Sequence, residues 1–137
     1  MKLLIDTNVI LDYLLARPGF REDAMRVFSL AAYDDTYEFV SSSAVTDIFY
    51  HVNKELRDSY AAQQKLRDLL RIITVLDVTQ ADINRALDLN WKDFEDAVQY
   101  SVALANRVDI IITRNHKDFE GGPIPVLSPK EFLDSIA

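Results

Sequence analysis

The chain contains no cysteine, which excludes disulfides and thiolate metal sites; a reducing compartment is compatible with that composition. Glycine is scarce, with three in 137 residues, and no G-x-x-x-x-G-K phosphate loop or G-x-G-x-x-G dinucleotide turn occurs. Long apolar runs are missing too. Leu3-Leu4-Ile5 after Lys2 imitates the opening of an export signal, but Asp6 and Asp12 interrupt it too early. No membrane segment is expected, and the expected compartment is the cytoplasm. Basic residues are outnumbered: 15 Lys and Arg face 22 Asp and Glu, a net charge of −7. A passive nucleic-acid binder is normally basic, because phosphate neutralisation supplies most of its affinity. If this chain handles nucleic acid, its carboxylates have another task there, and holding divalent cations is the obvious one.

What is present is an ordinary globular composition, 49% hydrophobic and 27% charged, without repeats or linkers. The length implies a single domain over residues 1–137, large enough to bury a core. Lys2–Ile5 reads as a buried strand, followed by a helix over Val9–Leu15. Pro18-Gly19 breaks the chain before a helix over Arg21–Ala32. Glu38–Val40 is a short strand, and Ser43 is a candidate N-cap for the next helix, which spaces Val45, Ile48, Phe49, Val52 and Leu56 on one side. A helix over Ala61–Ile72, a strand over Ile73–Val78 and a helix over Ala81–Leu89 follow. The clearest helical stripe includes Phe94, Ala97, Val98, Ser101, Leu104 and Ala105, and leads to the apolar strand Ile110–Thr113. Val126-Leu127 is a last short strand, and Pro129 opens the closing helix Pro129–Ile136. Alternation of this kind predicts an α/β domain with a parallel sheet, its isoleucine-rich strand buried on both faces.

Each notable acid has a simple structural explanation. Asp6 and Asn8 could cap the first helix, Asp93 could cap the helix that carries Asp96, and Asp47 lies where a helix macrodipole favours acids. Asp118 sits in the polar loop Asn115-His116-Lys117-Asp118, where acids are common. His51, four residues after Asp47, could pair with it on a helix surface. Taken together, the positions point elsewhere. In an open parallel sheet, ligands bind beyond the carboxyl ends of the strands. Asp6, Asp47, Asn115 and Asp118 all follow such ends; Asp96 opens the helix feeding the strand Ile110–Thr113, which on simple topology is expected at the opposite edge. Uncompensated carboxylates in one crevice repel one another unless a cation is present. A hard-cation site for Mg²⁺ or Mn²⁺ is the chemistry such a cluster serves, and metal-assisted phosphodiester hydrolysis is its sharpest use. An aspartyl-nucleophile DxD motif is excluded, because position 8 is Asn.

Leu4-Ile5-Asp6-Thr7-Asn8-Val9-Ile10-Leu11-Asp12, then Phe94-Glu95-Asp96-Ala97, then Ile112-Thr113-Arg114-Asn115-His116-Lys117-Asp118-Phe119 resemble the PIN-domain ribonucleases, and the closing segment from Ile124 to Leu133 fits the same family. The resemblance spans nearly the whole chain, in order. It implies a three-layer α/β/α sandwich around a central parallel sheet of four or five strands, with the acids gathered at one edge and Asp96 among them. It implies Asp6 and Asp96 as principal metal ligands, Asp47 as the second acid, and a fourth position at Asn115 or Asp118. Thr7, Asn8 and Thr113 would orient ligands or bind waters and phosphate. Many small proteins of this kind are toxins blocked by a cognate antitoxin, and they are often homodimers. An RNA substrate, an antitoxin and a second copy are therefore the partners the resemblance implies.

The sequence departs from the family pattern twice. Asp47 stands where Glu is usual and is one methylene shorter, and Asn115 stands where many members carry Asp, bringing an oxygen without charge. One well-held metal is expected, and a second only when substrate phosphate supplies oxygens. The departures support a second reading, a catalytically weakened RNA- or protein-binding module, against which the retention of Asp6, Asp47, Asp96 and Asp118 argues; a structure-specific DNA nuclease is the third.

Overall fold

Leu3, Leu4 and Ile5 are all fully buried, which requires layers on both faces of the strand that carries them. That strand is β1 (Lys2–Ile5), and the computed structural model, which describes residues 1–137, places it at the centre of a five-stranded parallel sheet. The other strands are β2 (Tyr37–Ser41), β3 (Thr74–Leu76), β4 (Ile110–Ile112) and β5 (Val126–Leu127), in the order β3-β2-β1-β4-β5. Seven helices surround them: α1 (Thr7–Leu14), α2 (Arg21–Ser29), α3 (Ser42–Leu56), α4 (Ser59–Leu69), α5 (Gln80–Leu89), α6 (Phe94–Ala105) and α7 (Pro129–Ile136). On one face Leu3, Ile5, Val40 and Ile112 pack with Val9 and Ile10 of α1, Ile48 and Val52 of α3, and Phe132 of α7. On the other, Leu4 and Ile111 meet Tyr100 and Ala103 of α6. Ala86 of α5 joins Ala97, Val98 and Val102 of α6 outside that contact. The result is the expected three-layer α/β/α sandwich.

Local chemistry sets most boundaries, and it moves several that the sequence predicts. Ser41, not Ser43, caps α3: its Oγ accepts from the Ser43 N–H at 3.3 Å, because β2 runs into the helix without a loop. Asp58 starts α4 by accepting from the N–H groups of Tyr60 and Ala61. The third strand is shorter than Ile73–Val78. The Ile73 N–H is spent on the Leu69 carbonyl and the Val78 N–H on the Ser42 hydroxyl, which leaves only Thr74–Leu76 to pair. Pro129 does open α7, behind a reciprocal capping box of Ser128 and Glu131.

β1 pairs with β2 on one side and with β4 on the other. Strand order therefore reverses at β1, and the crevice between the carboxyl ends of β1 and β4 is the topological switch point where such sheets bind ligands. The expected objection to Asp96 does not hold. A helix that packs antiparallel to the strand it feeds must finish at that strand's start, so it begins at the carboxyl edge. Here the Asn106 carbonyl just beyond α6 accepts from Lys2 Nζ at 3.2 Å, at the opposite, amino edge. The first turn of α6 is thereby delivered beside Asp6.

Candidate functional site

Asp6 is the centre of the crevice. Its N–H donates to the Ile112 carbonyl at 2.9 Å, which pins it between β1 and β4. The side chain does cap α1, as Oδ1 accepts from the Thr7 N–H at 2.7 Å. The cap is only part of its surroundings. Oδ1 also accepts from Gln99 Nε2 at 2.9 Å, and Oδ2 accepts from the Thr113 hydroxyl at 2.7 Å and, weakly, from Asn8 Nδ2 at 3.5 Å. Thr113 Oγ1 accepts in turn from Asn8 Nδ2 and the Asn115 N–H, while Asn8 Oδ1 accepts from the Arg114 N–H. Asn8 and Thr113 thus lock the loop after β4 onto α1 and aim the Asp6 carboxylate. Thr7 contributes its N–H; its buried hydroxyl has no partner.

Asp96 enters from the first turn of α6 and is buried, with Oδ1 at 3.4 Å from Gln99 Nε2. Asp93 caps that helix by accepting from the Asp96 N–H at 3.0 Å. Capping does not exhaust it: carboxylate oxygens of Asp93, Asp96 and Asp118 lie within 4.8 Å of one another. Asp118 reaches them from the single helical turn His116–Asp118, and Asn115 lines the same cleft. Burial first, and then the charges of Asp6, Asp93, Asp118 and Glu95, push the Asp96 carboxyl up to about 8. Burial also raises Glu95, followed by the charges of Asp47, Asp6 and Asp93. A crevice in which acids hold back one another's ionisation favours the uptake of a cation.

Asp47 is placed differently from the other acids. Its side chain is 44% exposed and lies 3.5 Å from His51 Nε2, and His51, not Asp47, lines the cleft. It also lies beyond the first turn of α3, so the macrodipole does not account for it. Its charge reaches the cleft through Glu95. The structure therefore gathers Asp6, Asp96, Asp118 and Asn115, and leaves Asp47 at the rim.

Sequence reasoning missed Asp93 as a cluster member, Glu95 and Gln99. The three-residue spacing of Asp93 and Asp96 could have flagged the first, since it sets both on one side of a helix start. Nothing local marks Gln99, whose partner Asp6 is 93 residues away. The donor set is all oxygen and mostly carboxylate, which suits hard cations such as Mg²⁺ and Mn²⁺. Such a set can bind a divalent ion and, through it, a phosphodiester. No helix of the protein is long and apolar enough to cross a membrane.

Comparison with known proteins shows the family and the fold. The sequence profile of the PIN domain matches residues 2–117. Ribonuclease VapC1 of Aquifex aeolicus is 25% identical over 138 aligned positions, covering 97% of this chain and 94% of that protein. Among solved structures, a toxin–antitoxin complex from Klebsiella pneumoniae superposes with a TM-score of 0.70 at 26% identity, covering 93% of this chain and 97% of the other. VapBC2 from Rickettsia felis, bound to a DNA fragment from its promoter, gives a TM-score of 0.71 at 20% identity, covering 93% and 98%.

Proposed function

This chain belongs to the PIN-domain family, and on that premise we propose that it is a divalent-metal-dependent ribonuclease, the toxin of a toxin–antitoxin pair. The observation that carries the reading is the convergence of Asp6, Asp96, Asp93 and Asp118 at the switch point, where Asp96 is pushed up to about 8 by burial and by its acidic neighbours. Carboxyl oxygens crowded into one cleft, each resisting ionisation until a positive charge arrives, fit a hard divalent cation.

Asp6 and Asp96 are the principal ligands, with Asp118 completing the set and Asp47 acting from the rim. A divalent cation bound there supplies the positive charge that draws in a phosphodiester and eases departure of the leaving oxygen. The remaining steps belong to the chain. Thr113 and Asn8 hold the Asp6 carboxylate in one orientation. Asn115 presents an uncharged amide to the same cleft, where it can donate to or accept from a phosphate or a water without adding repulsion. Arg17 and His51 are the basic side chains among the cleft's lining residues and are placed to meet RNA phosphates. The net charge of −7 makes this local chemistry, rather than a general basic surface, the source of nucleic-acid affinity. The substrate class and the antitoxin partner follow from what the Aquifex protein is and from the assembly in the Klebsiella structure.

The deciding experiment is an RNA-cleavage assay with Mg²⁺ or Mn²⁺, repeated with chelator. Metal-dependent cleavage is expected; RNA left intact under both conditions would return the chain to a binding module. Expression should arrest growth, and co-expression of the cognate antitoxin should relieve it.

A further inference from the structure

We infer that Gln99 is the positioning residue of the acidic cleft: its buried side-chain amide spans Asp6 and Asp96 and sets the separation of the two acids. The inference rests on the metal-dependent reading of the same site. Gln99 is fully buried in the first turns of α6. Its Nε2 carries two hydrogens, and its two acceptors are Asp6 Oδ1 at 2.9 Å and Asp96 Oδ1 at 3.4 Å. One group therefore joins an acid that follows β1 to an acid that opens α6. No other residue donates a hydrogen bond to both carboxylates.

The other end of the amide is equally informative. Gln99 Oε1 is buried and has no hydrogen-bond partner. An unpaired buried carbonyl costs stability, whereas an apolar side chain of similar shape would not. The folded protein therefore gains little from Gln99 as a packing residue. Its placement makes sense through the donor end, which faces two carboxylates that would otherwise repel each other across the cleft. Groups that hydrogen-bond to metal-ligating carboxylates fix their orientation, and their removal typically costs about 10–100-fold in metal affinity.

The test is Gln99→Met, which keeps length and approximate volume and removes both donors. Mn²⁺ binding is measured by titration calorimetry on the whole chain, and the melting temperature is measured in chelator. The expected result is a Kd for Mn²⁺ raised about 10–100-fold, with a metal-free melting temperature close to that of the wild type. Gln99→Asn, which keeps the amide but withdraws it by one methylene, serves if the methionine variant does not fold, and should weaken Mn²⁺ binding in the same direction. A variant that folds and binds Mn²⁺ within about twofold of wild type overturns the inference. So does a variant that loses melting temperature in chelator while its Kd is unchanged, since that is the behaviour of a packing residue. If wild-type protein itself takes up no Mn²⁺, the metal reading of the cleft falls first, and this inference with it.

Discussion

Arg114 grips the buried carboxylate of Asp12 through two hydrogen bonds, Nε to Oδ2 at 2.6 Å and Nη2 to Oδ1 at 3.1 Å, across 102 residues of sequence. Asp12 is 1% exposed, and Arg17 approaches the same carboxylate at 3.6 Å. The Arg114 guanidinium also stacks over Phe20, 3.8 Å from the ring centre. The pair ties the loop after β4 to α1, the two segments that aim Asp6. Breaking a buried pair by removing one partner leaves an uncompensated charge. Arg114→Met is expected to cost about 3 kcal/mol, the low end of the usual range because Arg17 remains. Urea unfolding measures it, and a loss below about 1 kcal/mol would show that Arg17 suffices alone.

Asp6→Asn and Asp96→Asn should each abolish metal-dependent RNA cleavage. A neutral amide cannot replace a carboxylate lost from the metal. Folding should survive, because Asn is as good an N-cap as Asp at position 6 and the mutual repulsion is relieved. Mn²⁺ should raise the wild-type unfolding free energy by about 2.7 kcal/mol at a hundredfold excess over Kd. Asp6→Asn should lose most of that increment. Cleavage at the wild-type rate in either variant, with metal bound as before, would remove these residues from the site.

Asp118 and Asn115 decide whether the fourth position is filled by charge. Asp118 lies within the same group of close carboxylate oxygens as Asp93 and Asp96, and Asn115 lines the cleft beside it. Asp118→Asn should weaken Mn²⁺ binding and slow cleavage, and adding Asn115→Asp should partly restore both. Ligands of one ion couple in such a cycle, by about 0.5–3 kcal/mol. Strictly additive effects would place Asp118 outside the metal's surroundings.

Glu38 should make the protein less stable as pH rises. It is 3% exposed on β2, neither carboxyl oxygen has a hydrogen-bond partner, and burial raises it from 4.5 to about 8. Below pH 4.5 both folded and unfolded chains carry this proton, and its contribution to stability is intact. As pH rises from there the unfolded chain releases the proton while the folded one keeps it, so stability falls until about pH 8 and then levels. The full shift corresponds to a loss on the order of 3–5 kcal/mol. Glu38→Met should therefore melt higher than wild type at pH 8, with the gap closing towards pH 5. Parallel melting curves of the two proteins across that range would show that Glu38 does not titrate on unfolding.

Much of the fold was legible because it is encoded locally. Apolar runs such as Ile110-Ile111-Ile112 exceed what one buried face needs, so the both-sided sheet could be expected. Pro129 at a helix start and the caps at Asp6 and Asp93 are decided by backbone groups a few residues away. The errors lie where local choices compete. Ser41 and Ser43 are equally good caps, and only the length of β2 selects Ser41. The burial of Glu38 has no local signal either: it is set by its pairing in register with the fully buried Leu3.

The sequence by itself determined that this is an alternating α/β chain with acids at the ends of its strands. Periodicity and capping act over a turn or a strand, so a single sequence displays them. The tertiary structure alone decided which of those acids meet. Strand order β3-β2-β1-β4-β5 places β4 beside β1 and brings Thr113 to Asp6 across 107 residues. The direction of α6 then delivers Asp96 and Gln99 to the same point, while Asp47 stays at the rim beside His51. No short-range pattern carries that information, because convergence depends on which strands are neighbours, and the packing of the whole sheet settles that.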